Sequence, residues 1–305
     1  MKTVLISTSS FAQYDKTPLE MIQQAGYGYV LNEYKRKLSE DEILSLIKKH
    51  NPIGLIAGVE PITSQVLKIA KELKVISRCG IGMDNINLKA AKQYKIDIVN
   101  TPDGPTIAVA ELTLGLILSL LRKIVLSHEN ITKNQWVRPM GNLIHGKTIG
   151  IIGCGRIGTY LAKLLSNFDC TVLGFDIISK QNKYYFPVEL SELYEKSDII
   201  SLHLPYSKKN HHFINRNTLS IMKKGAVLIN AARGALVDEN ALYDMLISGH
   251  LSGAALDCFE NEPYSGDLIH LENTVLTGHI GSYAVESRSM MEKQAVNNLL
   301  DRLKR

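Results

Sequence analysis

Short apolar runs alternate with helical stretches along the chain. In the first third, the pattern predicts strands at residues 3–6, 54–57, 75–77 and 97–99. Between them it predicts helices at about residues 19–25, 40–49, 64–73 and 88–94. Alternation of β-branched apolar runs with helical stretches is typical of a doubly wound parallel sheet with helices on both faces.

The same alternation returns after a long apolar segment. A helix is predicted over about residues 107–133, after the turn residues of segment 101–105. Further strands are predicted at residues 148–152, 171–175, 198–202, 226–230, 253–256 and 274–276, and a closing helix at about 284–305. A chain of 305 residues is long enough for two domains with their own cores. The sequence therefore predicts an α/β protein with two doubly wound parallel-sheet domains.

A glycine motif follows the strand at 148–152. Gly153, Gly155 and Gly158 have G-x-G-x-x-G spacing and precede a helical stretch. In such motifs the first glycine permits a tight turn, the second lets the backbone approach a pyrophosphate, and the third lets the helix pack closely. Asp176 ends the next strand, about 20 residues farther on, where an acid binds a ribose 2′-hydroxyl. This context favours a dinucleotide site over a glycine-rich turn that binds nothing.

Three charged side chains follow other predicted strands. Arg233 offers a bidentate fork to a carboxylate, and His279 is suited to proton transfer. Glu262 can orient an imidazole and favour its protonated form. Taken singly, a surface salt bridge, a structural histidine and a solvated loop acid are the alternatives. Together with a nicotinamide cofactor that supplies hydride, the three charged side chains predict reduction of a carbonyl group.

An ordered set of motifs identifies a family resemblance. The chain resembles the D-isomer-specific 2-hydroxyacid dehydrogenases, especially their phosphoglycerate-dehydrogenase-like branch, through segments 78–85, 100–102, 109–112, 153–158, 203–205, 230–234, 257–263 and 279–281. The resemblance implies a catalytic triad of Arg233, Glu262 and His279. It implies substrate contacts from Arg233 and from the backbone of Gly80, Ile81 and Gly82. The implied contacts to NAD are Gly153, Gly155, Arg156, Ile157, Gly158, Asp176, His203, Pro205, Ala231, Ala232, Asp257 and Gly281.

The resemblance also implies a domain arrangement. A Rossmann NAD-binding domain, residues 101–283, is expected as an insertion in a flavodoxin-like substrate domain of residues 1–100 and 284–305, with the active site in the cleft between them. A homodimer is expected through residues 107–126. No serine-sensing regulatory domain is expected after the closing helix.

The implied reaction interconverts a small D-2-hydroxy acid and its 2-keto acid. Phosphoglycerate dehydrogenases usually carry an Arg-Ser pair where this chain has Ala57 and Gly58, and often Asn at the position of Pro105. An unphosphorylated substrate is therefore expected. The alternatives are phosphoglycerate dehydrogenase proper, a relative acting on formate or phosphite, or a non-catalytic NAD(H)-dependent binding protein similar to corepressors.

Composition and charge bear on the partners, metal content and location of the protein. The net charge is only +5 and the lysines are scattered, apart from a basic tail at Arg302, Lys304 and Arg305, so no nucleic-acid partner is expected. The longest apolar run, residues 112–121, is about half the length of a membrane span, and the N-terminus does not resemble a signal peptide. The cysteines, Cys79, Cys154, Cys170 and Cys258, lack metal-site spacing. We therefore expect reduced thiols, no metal and a cytoplasmic location.

Overall fold

The computed structural model describes residues 1–178 and 181–304, which form two compact units. The first unit combines Met1–Pro105 with the segment that starts at Ser282, and the second unit is Thr106–Gly281. Arg305, the last residue of the predicted closing helix and basic tail, lies outside the described residues.

The described residues of the first unit form a five-stranded parallel sheet. Its strands are β1 (Thr3–Ile6), β2 (Gly28–Leu31), β3 (Gly54–Ala57), β4 (Val75–Arg78) and β5 (Asp97–Asn100). The helices are α1 (Thr17–Gln24), α2 (Glu40–His50), α3 (Ser64–Ile69), α4 (Leu88–Gln93) and, from the C-terminal segment, α11 (Val285–Leu303). The strand order β2-β1-β3-β4-β5 is that of flavodoxin-like folds, as predicted.

Both faces of this sheet are buried because side chains alternate along each strand. On β1, Val4 and Ile6 pack with Leu299 of α11, whereas Leu5 packs on the other side with Ile43 of α2. All five side chains are fully buried. Each such side chain contributes roughly 1.5–3 kcal/mol of transfer free energy, so the C-terminal helix is an integral part of this core.

The second unit contains a larger sheet of the same kind. Its described strands are β6 (Thr148–Ile152), β7 (Thr171–Phe175), β8 (Phe186–Pro187), β9 (Ile199–Leu202), β10 (Val227–Asn230), β11 (Gly253–Leu256) and β12 (Thr274–Leu276). The helices are α5 (Gly104–Leu121), which begins just before the unit boundary, α6 (Ile124–Thr132), α7 (Arg156–Leu165), α8 (Leu190–Lys196), α9 (Arg216–Ser220) and α10 (Glu239–Ile247). The parallel order β12-β11-β10-β9-β6-β7-β8 contains the Rossmann arrangement, which confirms the predicted fold class.

Two strands of the structure were not predicted from the sequence pattern. Gly28–Leu31 is an edge strand of the first sheet, and its residues are only half-buried or exposed. An edge strand needs no continuous apolar run, so the pattern that marks buried parallel strands is missing there. Phe186–Pro187 is also an edge strand and contains only two residues, too few to show any periodicity.

The single helix predicted over residues 107–133 is wrong. The structure has α5 and α6, separated at Arg122 and Lys123, and Lys123 adopts a left-handed conformation with φ 54°. The carbonyl of Leu121 accepts a hydrogen bond from the N–H of Asn142 at 2.8 Å. A segment distant in sequence therefore occupies the carbonyl that a continuing helix would use. Since no glycine or proline stands at the break, the sequence gives no signal for it.

Helix α5 is longer than the apolar run that predicted it. Its 18 residues have a mean hydropathy of 1.8, so by length and composition alone it could cross a membrane. The expectation that this segment is too short to span a membrane is therefore corrected. Of its residues, 56% are buried inside the protein, and Leu116, Ile117 and Leu120 pack in a core cluster of the second unit.

Candidate active site

The glycine motif has the geometry that its spacing predicts. Gly153 has φ +98°, and a Cβ there would lie 2.5 Å from the carbonyl oxygen of His203. A Cβ on Gly158 would collide with the carbonyl oxygen of Gly153. A Cβ on Gly155, by contrast, would meet no other atom within 4 Å, so this side of the turn is open. The first and third glycines are required by packing, and the second leaves room for a ligand.

Helix α7 begins immediately after Gly155. This residue caps the helix without a side-chain hydrogen bond, so the N–H groups of Arg156 and Ile157 are placed at an uncapped, electropositive helix start. Asp176 follows β7 and is half-buried; its Oδ1 accepts a hydrogen bond from the N–H of Ile178 at 3.2 Å. An open glycine, a helix start and an acid after the neighbouring strand fit a dinucleotide.

His203 stands at the end of β9, beside the glycine turn. Its Nε2 lies 2.9 Å from the Ser201 hydroxyl, and its buried Nδ1 has no hydrogen-bond partner among the described residues. Burial lowers the pKa of His203 to about 4, so the ring is neutral at physiological pH. Pro205, also after β9, is exposed; after β10, Ala231 is buried and Ala232 is half-buried.

His279 and Glu262 meet in the second unit. The Nδ1 of His279 lies 2.9 and 3.0 Å from the two carboxylate oxygens of Glu262. The two side chains are 38% and 34% exposed, so the imidazole remains accessible to a small molecule. His279 has φ 56°, a left-handed conformation that costs free energy in a residue other than glycine. Such strain concentrates at functional sites, and here it occurs at the residue predicted to transfer a proton.

A buried aspartate holds the histidine segment in place. The carboxylate of Asp257 accepts hydrogen bonds from the Thr277 hydroxyl at 2.6 Å and from the N–H groups of Ile280 and Gly281, both at 2.8 Å. These partners flank His279 on both sides. A Cβ on Gly281 would lie 3.1 Å from the same carboxylate, so this glycine permits the close approach. Asp257, predicted as a cofactor contact, thus also positions His279.

Electrostatics favour a protonated histidine. Hydrogen bonds with the side chains of Cys258 and Glu262 raise the pKa of His279 to about 10, against the opposing effect of burial. Burial also raises the pKa of the Cys258 thiol, which therefore stays neutral in the physiological range. The carboxylate of Glu262 is then the anion that stabilises the imidazolium.

Arg233 follows β10, and the backbone beside it contacts the same group of residues. The backbone carbonyl of the preceding Ala232 accepts a hydrogen bond from the Cys258 thiol at 3.5 Å. The Cys258 sulfur in turn lies within 4.8 Å of the nearest nitrogen of His279 and oxygen of Glu262. The structure thus brings all three predicted triad residues to one end of the sheet. The role of Cys258 was missed, and its only sequence signal is its place directly after Asp257.

The predicted substrate loop lies in the first unit, after β4. Gly80 has φ +142°, and its N–H donates a hydrogen bond to the Thr101 hydroxyl at 2.7 Å. The N–H of Gly80 is thus already bonded within the protein in this structure, and its contact with a substrate stays a prediction. Ile81 and Gly82, both half-buried, supply the two candidate donors that remain.

The position of the Arg-Ser pair of phosphoglycerate dehydrogenases is apolar and tightly packed. Ala57 is fully buried at the end of β3. The adjacent Glu60 is also buried, and its carboxylate accepts hydrogen bonds from the Ser7 hydroxyl and from the N–H of Gly58, the latter at 3.1 Å. This strand end carries a buried carboxylate instead of a guanidinium.

Comparisons with known proteins agree with the geometry. Residues 114–281 match the family model described as "D-isomer specific 2-hydroxyacid dehydrogenase, NAD binding domain". A glyoxylate reductase of Thermofilum pendens is 40% identical over 279 residues, which cover 87% of this chain and 82% of the relative. The chain belongs to the D-isomer-specific 2-hydroxyacid dehydrogenase family. The predicted oxidoreductase class and NAD cofactor are thereby confirmed.

Two further comparisons show the range of similarity. A D-3-phosphoglycerate dehydrogenase of Methanocaldococcus jannaschii is 39% identical over 82% of this chain, but the match spans only 49% of that longer protein. The solved structure of the TT0316 protein from Thermus thermophilus superposes with a TM-score of 0.91 at 35% identity, covering 99% of this chain and 97% of the other. Relatives of similar identity thus carry different substrate names.

Proposed function

We propose that this protein interconverts a small, unphosphorylated D-2-hydroxy acid and its 2-keto acid with NAD(H), using His279 as proton donor and acceptor. The observation that carries the proposal is the contact of His279 Nδ1 with both oxygens of Glu262, at 2.9 and 3.0 Å, on a segment anchored by Asp257. With Nδ1 held by Glu262, the proposal assigns the proton transfer to the other ring nitrogen, Nε2.

The cofactor and each catalytic residue have separate roles in the proposed reaction. Bound NADH supplies the hydride. The protonated His279 donates its Nε2 proton to the carbonyl oxygen during reduction, and the neutral ring accepts a proton during oxidation. Glu262 keeps the imidazole oriented and stabilises its charge. Arg233 binds the substrate carboxylate through a charge-assisted, bidentate hydrogen bond. All of these residues, and those proposed to contact the cofactor, belong to the second unit.

The end of β3 disfavours a phosphate on the substrate. A dianionic phosphate needs cationic or N–H partners, because a buried charge without them is strongly disfavoured. Ala57 is buried and apolar, and the carboxylate of Glu60 is a like charge. Glyoxylate and hydroxypyruvate meet no such penalty, since neither carries a phosphate.

Steady-state NADH oxidation tests the proposal. We expect a higher kcat/KM for glyoxylate or hydroxypyruvate than for 3-phosphohydroxypyruvate. A 39% identical phosphoglycerate dehydrogenase makes that activity the second candidate. A higher kcat/KM for the phosphorylated substrate would support it and show that another cation, such as Arg78 or Arg138, binds the phosphate. Arg78→Ala and Arg138→Ala would then identify the cation. No turnover of any 2-keto acid would favour a non-catalytic NAD(H)-binding protein.

We also propose that the protein forms a homodimer in the cytoplasm, through the region of residues 107–126. Exposed apolar side chains in and after this region support a buried interface: Ile107 is 46% exposed, Ile124 52% and Trp136 80%. Light scattering at micromolar concentration would give twice the monomer mass of 33.9 kDa. A monomeric mass would refute the dimer.

A further inference from the structure

Two neighbouring histidines and a glutamate form a second cluster in the second unit. His211 and His212 lie on the loop after β9, and Glu260 lies on the loop that carries Glu262. The nitrogen and oxygen atoms nearest to each other in this cluster all lie within 4.8 Å. From this cluster we infer a divalent-metal site with two imidazole ligands and one carboxylate, selective for Zn²⁺ or a similar ion. Sequence analysis predicted no metal, and this inference departs from it.

The interatomic distances suit one ion. His212 Nε2 lies 3.1 Å from one oxygen of Glu260, and His211 Nε2 lies 3.9 Å from the other. Ligand atoms around a tetrahedral zinc ion are separated by about 3.3 Å, given zinc–ligand distances of about 2.0–2.1 Å. The separation for His212 is close to that value, and the separation for His211 is longer. Movement of the His211 side chain would therefore complete a site of three protein ligands, with water in the fourth position.

The imidazoles lie side by side near Glu260. Their rings stack with centroids 3.9 Å apart and an interplanar angle of 22°, and their Nε2 atoms lie 3.9 and 3.1 Å from the Glu260 oxygens. Because an ion lies in the plane of each imidazole that binds it, one of these nearly parallel rings must rotate before both can bind the same ion. The hydroxyl of Tyr206 lies 3.5 Å from Nδ1 of His211, on the opposite edge of that ring. A partner on the second ring nitrogen is the usual way in which a metal-binding histidine is oriented.

Charge and access favour a cation. The N–H of Glu260 donates a hydrogen bond to the carboxylate of Glu239 at 2.8 Å, which brings a second acid to the cluster. Burial, and to a lesser extent the negative charges of Glu260 and Glu262, raise the pKa of Glu239. The side chains of His211, His212 and Glu260 are 43%, 34% and 34% exposed, so an ion can enter from solvent.

The type of ligand indicates the type of ion. Two imidazoles with one carboxylate suit Zn²⁺, Co²⁺ and Ni²⁺, whereas Mg²⁺ and Ca²⁺ require mainly oxygen ligands. Because Glu260 precedes Glu262 by two residues, a bound ion would also fix the backbone next to the catalytic pair.

Cobalt titration of the tag-free full chain tests this inference. We expect one Co²⁺ to bind with visible absorption of a nitrogen and oxygen site, and without the intense near-ultraviolet band of a cobalt–thiolate bond. His211→Gln and His212→Gln should each weaken Co²⁺ binding at least tenfold. His128→Gln, which removes an exposed histidine outside the cluster, should leave it unchanged. The melting temperature of the wild type and of His128→Gln should rise with Zn²⁺, and that of the two cluster variants should not.

A competing location is the catalytic group of Cys258, Glu262 and His279, whose ligand atoms also lie within 4.8 Å of one another. If His279→Ala abolishes Co²⁺ binding while His211→Gln and His212→Gln retain it, the inference is overturned. It is likewise overturned if the wild type binds no Co²⁺. Circular dichroism spectra identical to that of the wild type would show that the variants fold.

Discussion

The two units share a doubly wound parallel architecture but differ at the carboxyl ends of their strands. In the second unit, β6 leads into an open glycine turn, and the loops after β10, β11 and β12 carry Arg233, Glu262 and His279. In the first unit, β3 ends in a buried alanine and a buried, hydrogen-bonded Glu60. The comparison shows that the sheet supplies positions, while loop residues at strand ends determine the chemistry.

Each unit has a buried carboxylate at the end of a strand, and the two carboxylates have different roles. Glu60 accepts hydrogen bonds from the Ser7 hydroxyl and from the N–H of Gly58, at the end of β3. Asp257 accepts three hydrogen bonds from the segment around His279 and so holds a strained, accessible imidazole in place. The same residue class therefore stabilises packing in one unit and orients a reactive group in the other. We therefore expect variants in the second unit to change catalysis or cofactor choice, and the variant in the first unit to change the free energy of unfolding.

The largest effect is expected at His279. His279→Ala removes the proton donor, so kcat for 2-keto acid reduction should fall about 10²–10⁴-fold. The Kd for NADH, measured by fluorescence titration, should change little. His270→Ala, which alters an exposed histidine outside the site, serves as the control. Near-wild-type turnover of His279→Ala would contradict the assignment.

Arg233 should affect binding of the substrate carboxylate more than proton transfer. A hydrogen bond to a charged group is worth about 1.5–3 kcal/mol, so Arg233→Ala should lower kcat/KM about 10–100-fold, with a clear rise in KM. Arg233→Lys keeps the charge but loses the planar fork, and should fall between Ala and wild type. An unchanged KM in both variants would argue against a carboxylate contact.

The pH profile tests which group stabilises the imidazolium. Reduction requires protonated His279, whose pKa is raised, so its rate should persist well above the ordinary histidine pKa and decline only at more alkaline pH, whereas oxidation should gain rate over that alkaline range. Glu262→Gln removes the anion and should move the alkaline limb of reduction downward, towards the ordinary histidine pKa of about 6.5. Cys258→Ser should move it much less, because the thiol is neutral. A larger shift in Cys258→Ser would assign the effect to sulfur.

Cofactor choice should depend on Asp176. An ionised acid that meets the ribose repels a 2′-phosphate, and residues 177 and 178 are isoleucines without a compensating charge. Repulsion of about 1–4 kcal/mol at 4 Å predicts at least about tenfold higher kcat/KM with NADH than with NADPH. Asp176→Ser should lower the ratio of kcat/KM with NADH to kcat/KM with NADPH. Asp169→Ser, at an exposed position, should leave this ratio unchanged. Equal efficiency of the wild type with NADPH would contradict this prediction.

The smallest effect is expected in the first unit. Glu60→Gln weakens the charge-assisted hydrogen bonds to Ser7 and Gly58, so the free energy of unfolding in urea should fall by about 1 kcal/mol. The Kd for NADH should remain that of the wild type. Glu33→Gln, at an exposed position, controls for the loss of one charge. A large loss of NADH affinity in Glu60→Gln would show that the two units do not divide the work as proposed.

The sequence by itself determined the features that depend on local chemistry. Buried parallel strands produce apolar runs, so most strands and both sheets could be predicted from the pattern. The glycine spacing and Asp176 predicted the dinucleotide turn because backbone conformation and close approach are local demands on residue type. Arg233, Glu262 and His279 could be named because each follows a predictable strand end.

Only the tertiary structure decided features that depend on distant neighbours. The break between α5 and α6 comes from the Asn142 N–H at the Leu121 carbonyl, which no nearby residue signals. The edge strand Gly28–Leu31 forms because β1 offers a pairing partner, without an apolar run of its own. The left-handed His279 and its anchoring by Asp257, 22 residues earlier, arise because adjacent parallel strands bring their ends together. Sequence spacing alone does not encode such proximity.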